Sequence, residues 1–212
     1  HGLGNDYLVL ESAEPLTQAL VRALCDRHRG VGGDGILEPV QPHGGAEYGV
    51  RIHNPDGSEA EKSGNGLRIY AHWRVHERSA RPAFTVWTPG GVVRCEVSGH
   101  EVAVDMGPAR TWGPERLADA EAWRVDVGNP HAVVFGWPDD WRRLGAAVEQ
   151  AVAGRTNVQF VEVRAGVAHV RIWERGAGET LSSGSSACAV AVVCVERGLL
   201  SSPVEVQMAG GR

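Results

Sequence analysis

The feature that most constrains the fold is a short turn that occurs once in each half of the chain. Ser63-Gly64-Asn65-Gly66 and Ser183-Gly184-Ser185-Ser186 are each followed by a helix-forming run. Serine directly before a helix is a common N-cap, because its hydroxyl accepts a backbone N–H of the first turn. Either turn alone is therefore read as an ordinary helix start. Together they predict two helix N-termini whose N–H groups could hold a carboxylate.

The segments around the two turns repeat the same order of predicted elements. In the first half, Tyr7–Leu10 is a short buried strand, and a helix with the N-cap Thr17 and the stop signal Gly30 follows it. The second half has a strand on each side of Asn129-Pro130, a further helix, two alternating strands and a very apolar helix over 187–195. Each half thus combines strands with one helix that is entered through Ser-Gly.

This repetition predicts the fold class and the domain boundary. We expect an α+β protein of two pseudo-symmetric domains, residues 1–110 and 111–212, with a ligand site in the cleft between them. The chain opens in a glycine turn and stops where another strand is expected. We therefore expect that segments beyond its two ends are missing.

Composition excludes several kinds of partner. The net charge is −5 and no block of basic residues is present, which argues against nucleic acid or an anionic membrane as the main partner. No apolar run approaches the roughly 18 residues that span a bilayer, and we expect no signal peptide. Four cysteines in a chain of this size do not suggest a disulfide scaffold, so we expect a reduced, cytoplasmic protein.

Two motifs have the composition of cofactor sites but not their context. The glycine run at 30–35, GVGGDG, lacks the preceding strand and following helix that a dinucleotide-binding fingerprint requires. His72 and His76 have the i, i+4 spacing of zinc ligands, but no glutamate stands between them and no third ligand is evident. The sequence therefore predicts neither a metal nor any other cofactor.

Asparagines mark several strand ends and turns. A single asparagine in such a place is usually a turn former. Several of them, together with Glu174-Arg175, could instead form a polar cradle for the ammonium and carboxylate groups of an amino acid. The residues concerned are Asn5, Asn54, Asn129 and Asn157.

Taken together, the motifs resemble the diaminopimelate epimerase family. The matching segments follow the family's order along nearly the whole chain: HGLGND, GVGGDGIL, NPDGSEAEKSGNGLR, VGNPHAVVF, TNVQFV and ERGAGETLSSGSSACA. The resemblance implies an isomerase that needs no pyridoxal phosphate and converts LL- to meso-diaminopimelate in lysine and peptidoglycan precursor biosynthesis. It also implies a homodimer and two domains, each a mostly antiparallel sheet wrapped around a central helix.

The resemblance assigns roles to individual residues. In the family, two cysteines face the substrate α-carbon, where one removes the proton and the other returns it. This chain has Ser63 and Ser183 at those positions. His131 and Glu174 are implied to flank the reacting centre. The residues implied to hold the α-carboxylate are Gly64, Asn65, Gly184 and Ser185, and those implied to hold the distal end are Asn5, Asn54, Asn129, Asn157 and Arg175.

Serine at these positions raises a chemical question. A thiol has a pKa of about 8.5, whereas the pKa of an alcohol lies nearer the value of about 15.7 for water. The gap of roughly 5–7 units corresponds to about 7–10 kcal/mol, and an environment shifts a pKa by at most about 3–5 units. A neighbouring base could help one serine, and His131 with Glu174 is the candidate partnership.

Three interpretations therefore stay open. The first is an epimerase whose two cysteines were replaced by serine, so that it holds substrate without turnover. The second is a natural Ser/Ser homologue with weak epimerase activity, or with a different isomerase or dehydratase reaction on an amino acid. The third is a non-catalytic amino-acid-binding protein in which the serines cap helices and bind a carboxylate.

Overall fold

The computed structural model describes residues 1–212, and the chain divides into two compact units, His1–Gly107 and Pro108–Arg212. Each unit contains one mixed sheet of seven strands and two helices. This is the α+β architecture that the repeated segments predict, with sheet-rich halves and few helices.

The N-terminal unit is built on a sheet of order β1-β2-β3-β5-β6-β7, with β4 paired to β3. The pairs β1–β2 and β3–β5 are parallel, and the other pairs are antiparallel. The strands are β1 (Leu8–Val9), β2 (Ile36–Val40), β3 (Tyr48–His53), β4 (Glu59–Ala60), β5 (Ala83–Thr88), β6 (Gly91–Ser98) and β7 (Glu101–Asp105), and the helices are α1 (Gln18–Cys25) and α2 (Gly64–Arg78).

Helix α1 begins as predicted and ends earlier than predicted. Thr17 is its N-cap, and the Thr17 hydroxyl accepts from the backbone N–H of Leu20. The helix stops at Cys25 rather than at Gly30, because the Asp26 carboxylate accepts the backbone N–H groups of His28 and Arg29, which a longer helix would use. This short-range competition for the backbone is typical of aspartate and ends a helix without glycine.

Helix α2 is the central helix of the N-terminal unit. It packs against β6 and β7, and its side chains Leu67, Tyr70 and Ala71 are completely buried. The Tyr70 hydroxyl donates to the carbonyl oxygen of Gly49 on β3 at 2.9 Å, so the buried phenol is satisfied. The buried apolar side chains hold the helix against the sheet, and the cap at its first turn fixes the residue at which it begins.

The C-terminal unit has a sheet of order β13-β12-β11-β10-β9-β8, with β14 paired to β12. The pairs β10–β11 and β12–β14 are parallel. The strands are β8 (Arg110–Leu117), β9 (Ala120–Asp126), β10 (Pro130–Phe135), β11 (Asn157–Arg164), β12 (Val167–Glu174), β13 (Gly178–Thr180) and β14 (Glu205–Gln207), and the helices are α3 (Trp141–Ala151) and α4 (Gly184–Glu196).

Strand β8 is the longest of the strands that the sequence did not predict. It contains Gly113 and Pro114, and the β8–β9 pairing shifts register between Thr111 and Gly113. Gly113 has a positive φ of 74°, and proline is tolerated here because β8 lies at the edge of the sheet. A bulged edge strand has little of the alternation by which strands are recognised.

The two units repeat one topology. In the first, β1, α1 and a parallel β2 are followed by antiparallel β3 and β4, then by α2 and by β5, which runs parallel to β3. In the second, β10, α3 and a parallel β11 are followed by antiparallel β12 and β13, then by α4 and by β14, which runs parallel to β12. Helices α2 and α4 therefore occupy equivalent places.

Helix α4 is the apolar helix that the sequence predicts. It packs against β9, β10, β11, β12 and β14, and the side chains of Ala189, Val190, Val193 and Cys194 are completely buried. A helix with so little polar surface is stable only when other elements cover most of its sides. No helix of the chain is long and apolar enough to span a bilayer.

Candidate functional site

The first Ser-Gly turn is the start of α2. Ser63 has extended backbone angles, and its Oγ accepts from the backbone N–H of Gly66 at 3.1 Å. Gly64 and Asn65 follow it in the first turn and are buried, and Asn65 Oδ1 accepts from Arg68 at 3.1 Å. Lys62 is buried as well, and its ammonium donates to the carbonyl oxygen of Met106 at 3.1 Å.

The Ser63 hydroxyl has a second neighbour, the phenol of Tyr7. Tyr7 Oη lies 3.2 Å from Ser63 Oγ, and either hydroxyl can donate. This contact joins residues 56 positions apart, and the sequence did not single out Tyr7. The signal that could have found it is Gly-Asn-Asp-Tyr at 4–7, which stands in the first unit where Gly-Asn-Pro-His at 128–131 stands in the second.

The second Ser-Gly turn is the start of α4. The Ser183 hydroxyl faces the backbone N–H of Ser186 at 3.5 Å, a longer cap contact than that of Ser63. The Ser183 hydroxyl also lies 3.5 Å from Ser185 Oγ. The Ser183 backbone N–H points to the sulfur of Met208, and Gly184 is buried. Both predicted serines are therefore N-caps of equivalent helices, with different surroundings.

His131 lies at the centre of a buried network in the C-terminal unit. Its Nε2 donates to Asn129 Oδ1 at 3.0 Å, and its Nδ1 accepts from Gln159 Nε2 at 3.0 Å. The same Gln159 amide donates to Ser186 Oγ at 2.9 Å, and Asn129 Nδ2 points to Ser185 Oγ at 3.4 Å. This network joins β10 and β11 to the first turn of α4.

Burial sets the protonation state of His131. The ring is completely buried, and this loss of hydration lowers the pKa of His131 to about 3. One neutral tautomer, with the proton on Nε2, satisfies both ring contacts, because Asn129 Oδ1 can only accept and Gln159 Nε2 only donates. His131 is therefore neutral at pH 7, and both of its nitrogens are engaged by amide side chains.

Asn5 is held by an ion-pair cluster. Its Nδ2 donates to Asp34 Oδ2 at 2.9 Å, and Arg27 bridges Asp34 and Asp6 at 2.7 and 2.6 Å. The Arg27 guanidinium lowers the pKa of the Asp6 carboxyl, and the two carboxylates raise the pKa of Arg27. Since Nδ2 donates to Asp34, the amide oxygen of Asn5 is the part of this side chain that can accept a further hydrogen bond.

The turn that carries Asn5 lies against the start of α2. Gly2 and Asn5 form an isolated bridge with mutual backbone hydrogen bonds, and a Cβ at Gly2 would lie 3.6 Å from Asn65 Cγ. Asn5, Ser63, Gly64 and Asn65 are thus one neighbourhood. Asn54 forms its side-chain bond within its own turn, to Ser58 Oγ at 2.9 Å.

Asn157 and Glu149 fix the loop that presents Glu174 and Arg175. Asn157 donates to the carbonyl oxygen of Pro130 at 3.1 Å and accepts the backbone N–H of Arg175 at 3.0 Å. Glu149 is buried and accepts from Trp173 Nε1 at 2.8 Å and from the backbone N–H of Gly176 at 3.0 Å.

The Glu174 carboxylate accepts from Thr180 Oγ1 at 2.7 Å, a contact that closes the same β12–β13 connection. Glu149 lies in the last turn of α3, and the sequence gives no sign of its contacts with this loop. The register β10–β11, which pairs His131 with Asn157, places this loop beside the His131 network.

The site residues are oxygen- and amide-rich, and no group of three or more His, Cys, Asp or Glu side chains is arranged to hold a metal ion. The rings of His72 and His76 lie side by side on α2 with centroids 4.1 Å apart and planes tilted by 31°. Each of the two helix starts carries backbone N–H groups, hydroxyls and amides, which are groups that can hydrogen-bond a carboxylate.

The fold is shared with solved structures of racemases and epimerases. A crystal structure of a probable proline racemase from Agrobacterium radiobacter superposes with a TM-score of 0.81 over 100% of this chain and 80% of that one, at 14% identity. The family model for diaminopimelate epimerase matches residues 1–112 and 124–212.

Two curated relatives are similar along the whole chain. Diaminopimelate epimerase 2 from Nostoc sp. is 39% identical over 243 aligned positions that cover 100% of this chain and 84% of that protein. Diaminopimelate epimerase from Rhodospirillum centenum is 40% identical, covering 100% and 81%. This chain belongs to the diaminopimelate epimerase family, whose members are isomerases.

Proposed function

We propose that this protein is a cofactor-independent epimerase of LL- and meso-diaminopimelate in lysine and peptidoglycan precursor biosynthesis. In this proposal the Ser63 and Ser183 hydroxyls act on one substrate α-carbon, one from each side. The observation that carries the proposal is that both serines are N-caps of equivalent helices, in a chain whose full-length relatives bear that enzyme name. The proposed substrate is a small amino acid, and neither nucleic acid nor a membrane takes part.

The helix starts supply what α-proton removal requires. An α-carboxylate that accepts the free N–H groups at 64–66 and 184–186 gains hydrogen bonds and the positive end of a helix dipole. As the proton leaves, negative charge spreads into this carboxylate, so the same N–H groups stabilise the developing carbanion. Asn5, Asn54, Asn129, Asn157 and Arg175 bind the distal end, and His131 and Glu174 flank the reacting centre.

The engaged ring nitrogens give His131 a particular part in this mechanism. A histidine that is neutral and bonded at both nitrogens orients Asn129 and Ser185 rather than removing a proton from a serine. Serine without such a base is a slow proton-transfer group, by the pKa gap between alcohol and thiol. We therefore expect a turnover well below that of a Cys/Cys enzyme.

The experiment is exchange of the substrate α-proton in deuterated water. Purified protein is incubated with LL-diaminopimelate, deuterium at the α-carbon is followed by NMR or mass spectrometry, and the isomers are separated by chromatography. The double variant Ser63→Cys with Ser183→Cys is expected to exchange and epimerise at least about a hundredfold faster, in line with general acid–base contributions. A correctly folded double variant that gains nothing contradicts the proposal.

A second candidate function is binding without turnover. It is favoured by one observation, that both hydroxyls already serve as N-caps and are therefore explained without chemistry. Calorimetry with diaminopimelate that shows binding, together with no α-proton exchange in the unmodified chain, would support it. The same pair of measurements on proline and on other amino acids tests a different substrate within the fold class.

We also propose a cytoplasmic location and a homodimer for this chain. The location rests on the cysteine usage, since the four cysteines form no disulfide in the structure. Sedimentation of the purified protein over a range of concentrations measures the oligomeric state directly.

A further inference from the structure

The contact between Tyr7 and Ser63 is a pair of exchangeable hydroxyls. Ser63 Oγ accepts the backbone N–H of Gly66 at 3.1 Å, and Tyr7 Oη lies 3.2 Å away from the same oxygen. With the cap bond occupying one lone pair of the serine, a proton can pass along the Tyr7–Ser63 contact in either direction. Ser63 is thus connected to an ionisable side chain, which a lone N-cap serine is not.

The position of the Tyr7 ring is fixed by the packing and strand pairing around it. Gly35 precedes β2, and a Cβ placed there would lie 2.6 Å from Tyr7 Cε1 and 2.4 Å from the carbonyl oxygen of His53. Gly35 is buried, and it is needed for space because any side chain would displace the ring. The parallel pairing of Leu8 with Ile36, one residue further along each strand, holds this arrangement.

The equivalent residue in the second unit is arranged differently. Gly-Asn-Asp-Tyr at 4–7 and Gly-Asn-Pro-His at 128–131 both lead into the first strand of a parallel pair, so Tyr7 corresponds to His131. His131 is sealed from solvent and bonds Asn129 and Gln159, whereas Tyr7 is partly exposed and reaches its serine. Although the two units repeat one motif, only Ser63 is therefore in hydrogen-bonding contact with the residue that corresponds to Tyr7 and His131.

The chemistry of a phenol suits the role that this contact allows. A phenol has a pKa of about 10, only about 1.5 units above a thiol, whereas an alcohol lies several units higher. A phenolate behind Ser63 lets the serine receive the α-proton without ever holding a full negative charge. The acid–base strength that serine lacks is then supplied by the residue behind it.

We propose that Tyr7 is a proton-relay residue that acts on the substrate through Ser63. When the α-proton leaves, the Cα–H bond breaks and its electron pair stays on the substrate. The proton bonds to Ser63 Oγ while the serine's own proton passes to the Tyr7 phenolate, which becomes a phenol. In the opposite reaction direction, in which Ser63 gives the proton to the α-carbon, the Ser63 proton goes to the substrate and the Tyr7 phenol returns its own proton to Ser63. This inference rests on the proposed function, since it takes Ser63 as the group that faces the α-carbon.

The test is a set of exchange measurements on four proteins: the unmodified chain, Tyr7→Phe, Ser63→Cys, and the two changes combined. With serine at 63, Tyr7→Phe is expected to slow α-proton exchange by at least about tenfold and to change the dependence of the exchange rate on pH. With cysteine at 63, the same change is expected to alter the rate less than about threefold, because a thiol needs no relay. Equal losses in both backgrounds would show a merely structural role and would overturn the proposal.

A second readout does not depend on the substrate. The phenol of Tyr7 is titrated by NMR of tyrosine labelled at Cζ, with its signal assigned by Tyr7→Phe, in the unmodified chain and in Ser63→Ala. A titration that shifts on removal of the hydroxyl supports the contact, and an unchanged titration overturns the relay alone. Failure of every variant, including the double cysteine variant, to exchange the α-proton overturns the proposed function instead.

Discussion

At the scale of the residue, His131 shows how burial decides chemistry. The sequence presents it as a candidate base, but the ring is completely buried and both nitrogens are bonded to amide side chains. Desolvation disfavours the charged form, so the ring stays neutral over the range in which an exposed histidine titrates. Its part in the site is to hold Asn129 and, through Gln159, the first turn of α4.

This burial predicts a pH dependence of stability. The folded pKa of His131 is lowered to about 3 from an ordinary value of 6.5, so below pH 6.5 the unfolded chain binds more protons than the folded one. Stability from this residue is therefore complete above pH 6.5 and is lost progressively as the pH falls toward 3. Between pH 7 and pH 5 the loss is about 2 kcal/mol, since a full unit of pKa difference is worth about 1.36 kcal/mol.

The measurement is the free energy of unfolding in urea at pH 7 and pH 5. The matched control is His131→Asn, which cannot titrate and is expected to lose less stability over this interval than the unmodified chain. Carboxylates change in both proteins alike, so the difference between the two isolates the histidine. An identical loss in both proteins would contradict a neutral, buried His131.

At the scale of the element, the two central helices both begin with a serine N-cap, but the two cap hydrogen bonds differ in strength. The cap distance is 3.1 Å for Ser63 in α2 and 3.5 Å for Ser183 in α4, and the weaker bond is the longer one. Helix α4 compensates by apolar packing against five strands, whereas α2 packs chiefly on β6 and β7. Helix α2 therefore depends more on its cap.

This difference predicts unequal costs of removing the caps. Ser63→Ala is expected to lower the free energy of unfolding by about 1 kcal/mol or slightly more, since the Tyr7 hydroxyl also loses a partner. Ser183→Ala is expected to cost less. The control is Thr17→Ala, which removes an exposed cap of similar length, 3.2 Å to the backbone N–H of Leu20, and has no part in the site. A larger loss at Ser183 than at Ser63 would be inconsistent with this ranking.

At the scale of the whole molecule, the chain carries thiols, but none at its helix starts. Cys25, Cys95 and Cys194 are buried and Cys188 is partly buried within α4. Burial raises the pKa of Cys25 and of Cys194, and it raises the pKa of Cys95 to about 12. A thiol that stays protonated is a poor nucleophile, so these groups are unreactive in the folded protein.

Alkylation of the native protein therefore has a predictable outcome. Iodoacetamide is expected to modify Cys188 first, as located by peptide mass spectrometry, and to leave the other three cysteines until the chain unfolds. The rate of α-proton exchange should not change on alkylation, because the proposed groups are hydroxyls. Ser63→Cys is the contrasting variant: it places a thiol at a helix N-terminus, and its exchange should be abolished by the same treatment. Inactivation of the unmodified chain by alkylation would point to a cysteine in the reaction.

Local sequence signals explain which parts of the molecule were predictable. The starts of α1, α2 and α4 depend on a serine or threonine and the N–H groups within three residues of it, so local sequence specifies them. The apolar run in α4 and the alternating strands β11 and β12 are visible for the same reason. The bulged edge strand β8 was not predicted, and the family model leaves residues 113–123, within β8 and β9, unmatched.

By itself, the sequence determined the fold class, the family and the positions of the two N-cap serines, because motifs and helix caps depend on residues that are close together in the chain. Only the tertiary structure decided what stands beside each serine. Tyr7 meets Ser63 across 56 positions through the β1–β2 pairing and the space at Gly35, and His131 is sealed by Asn129 and Gln159 through the β10–β11 register. Burial and hydrogen-bond partners depend on residues distant in the chain, and they set the acid–base chemistry that the serines can perform.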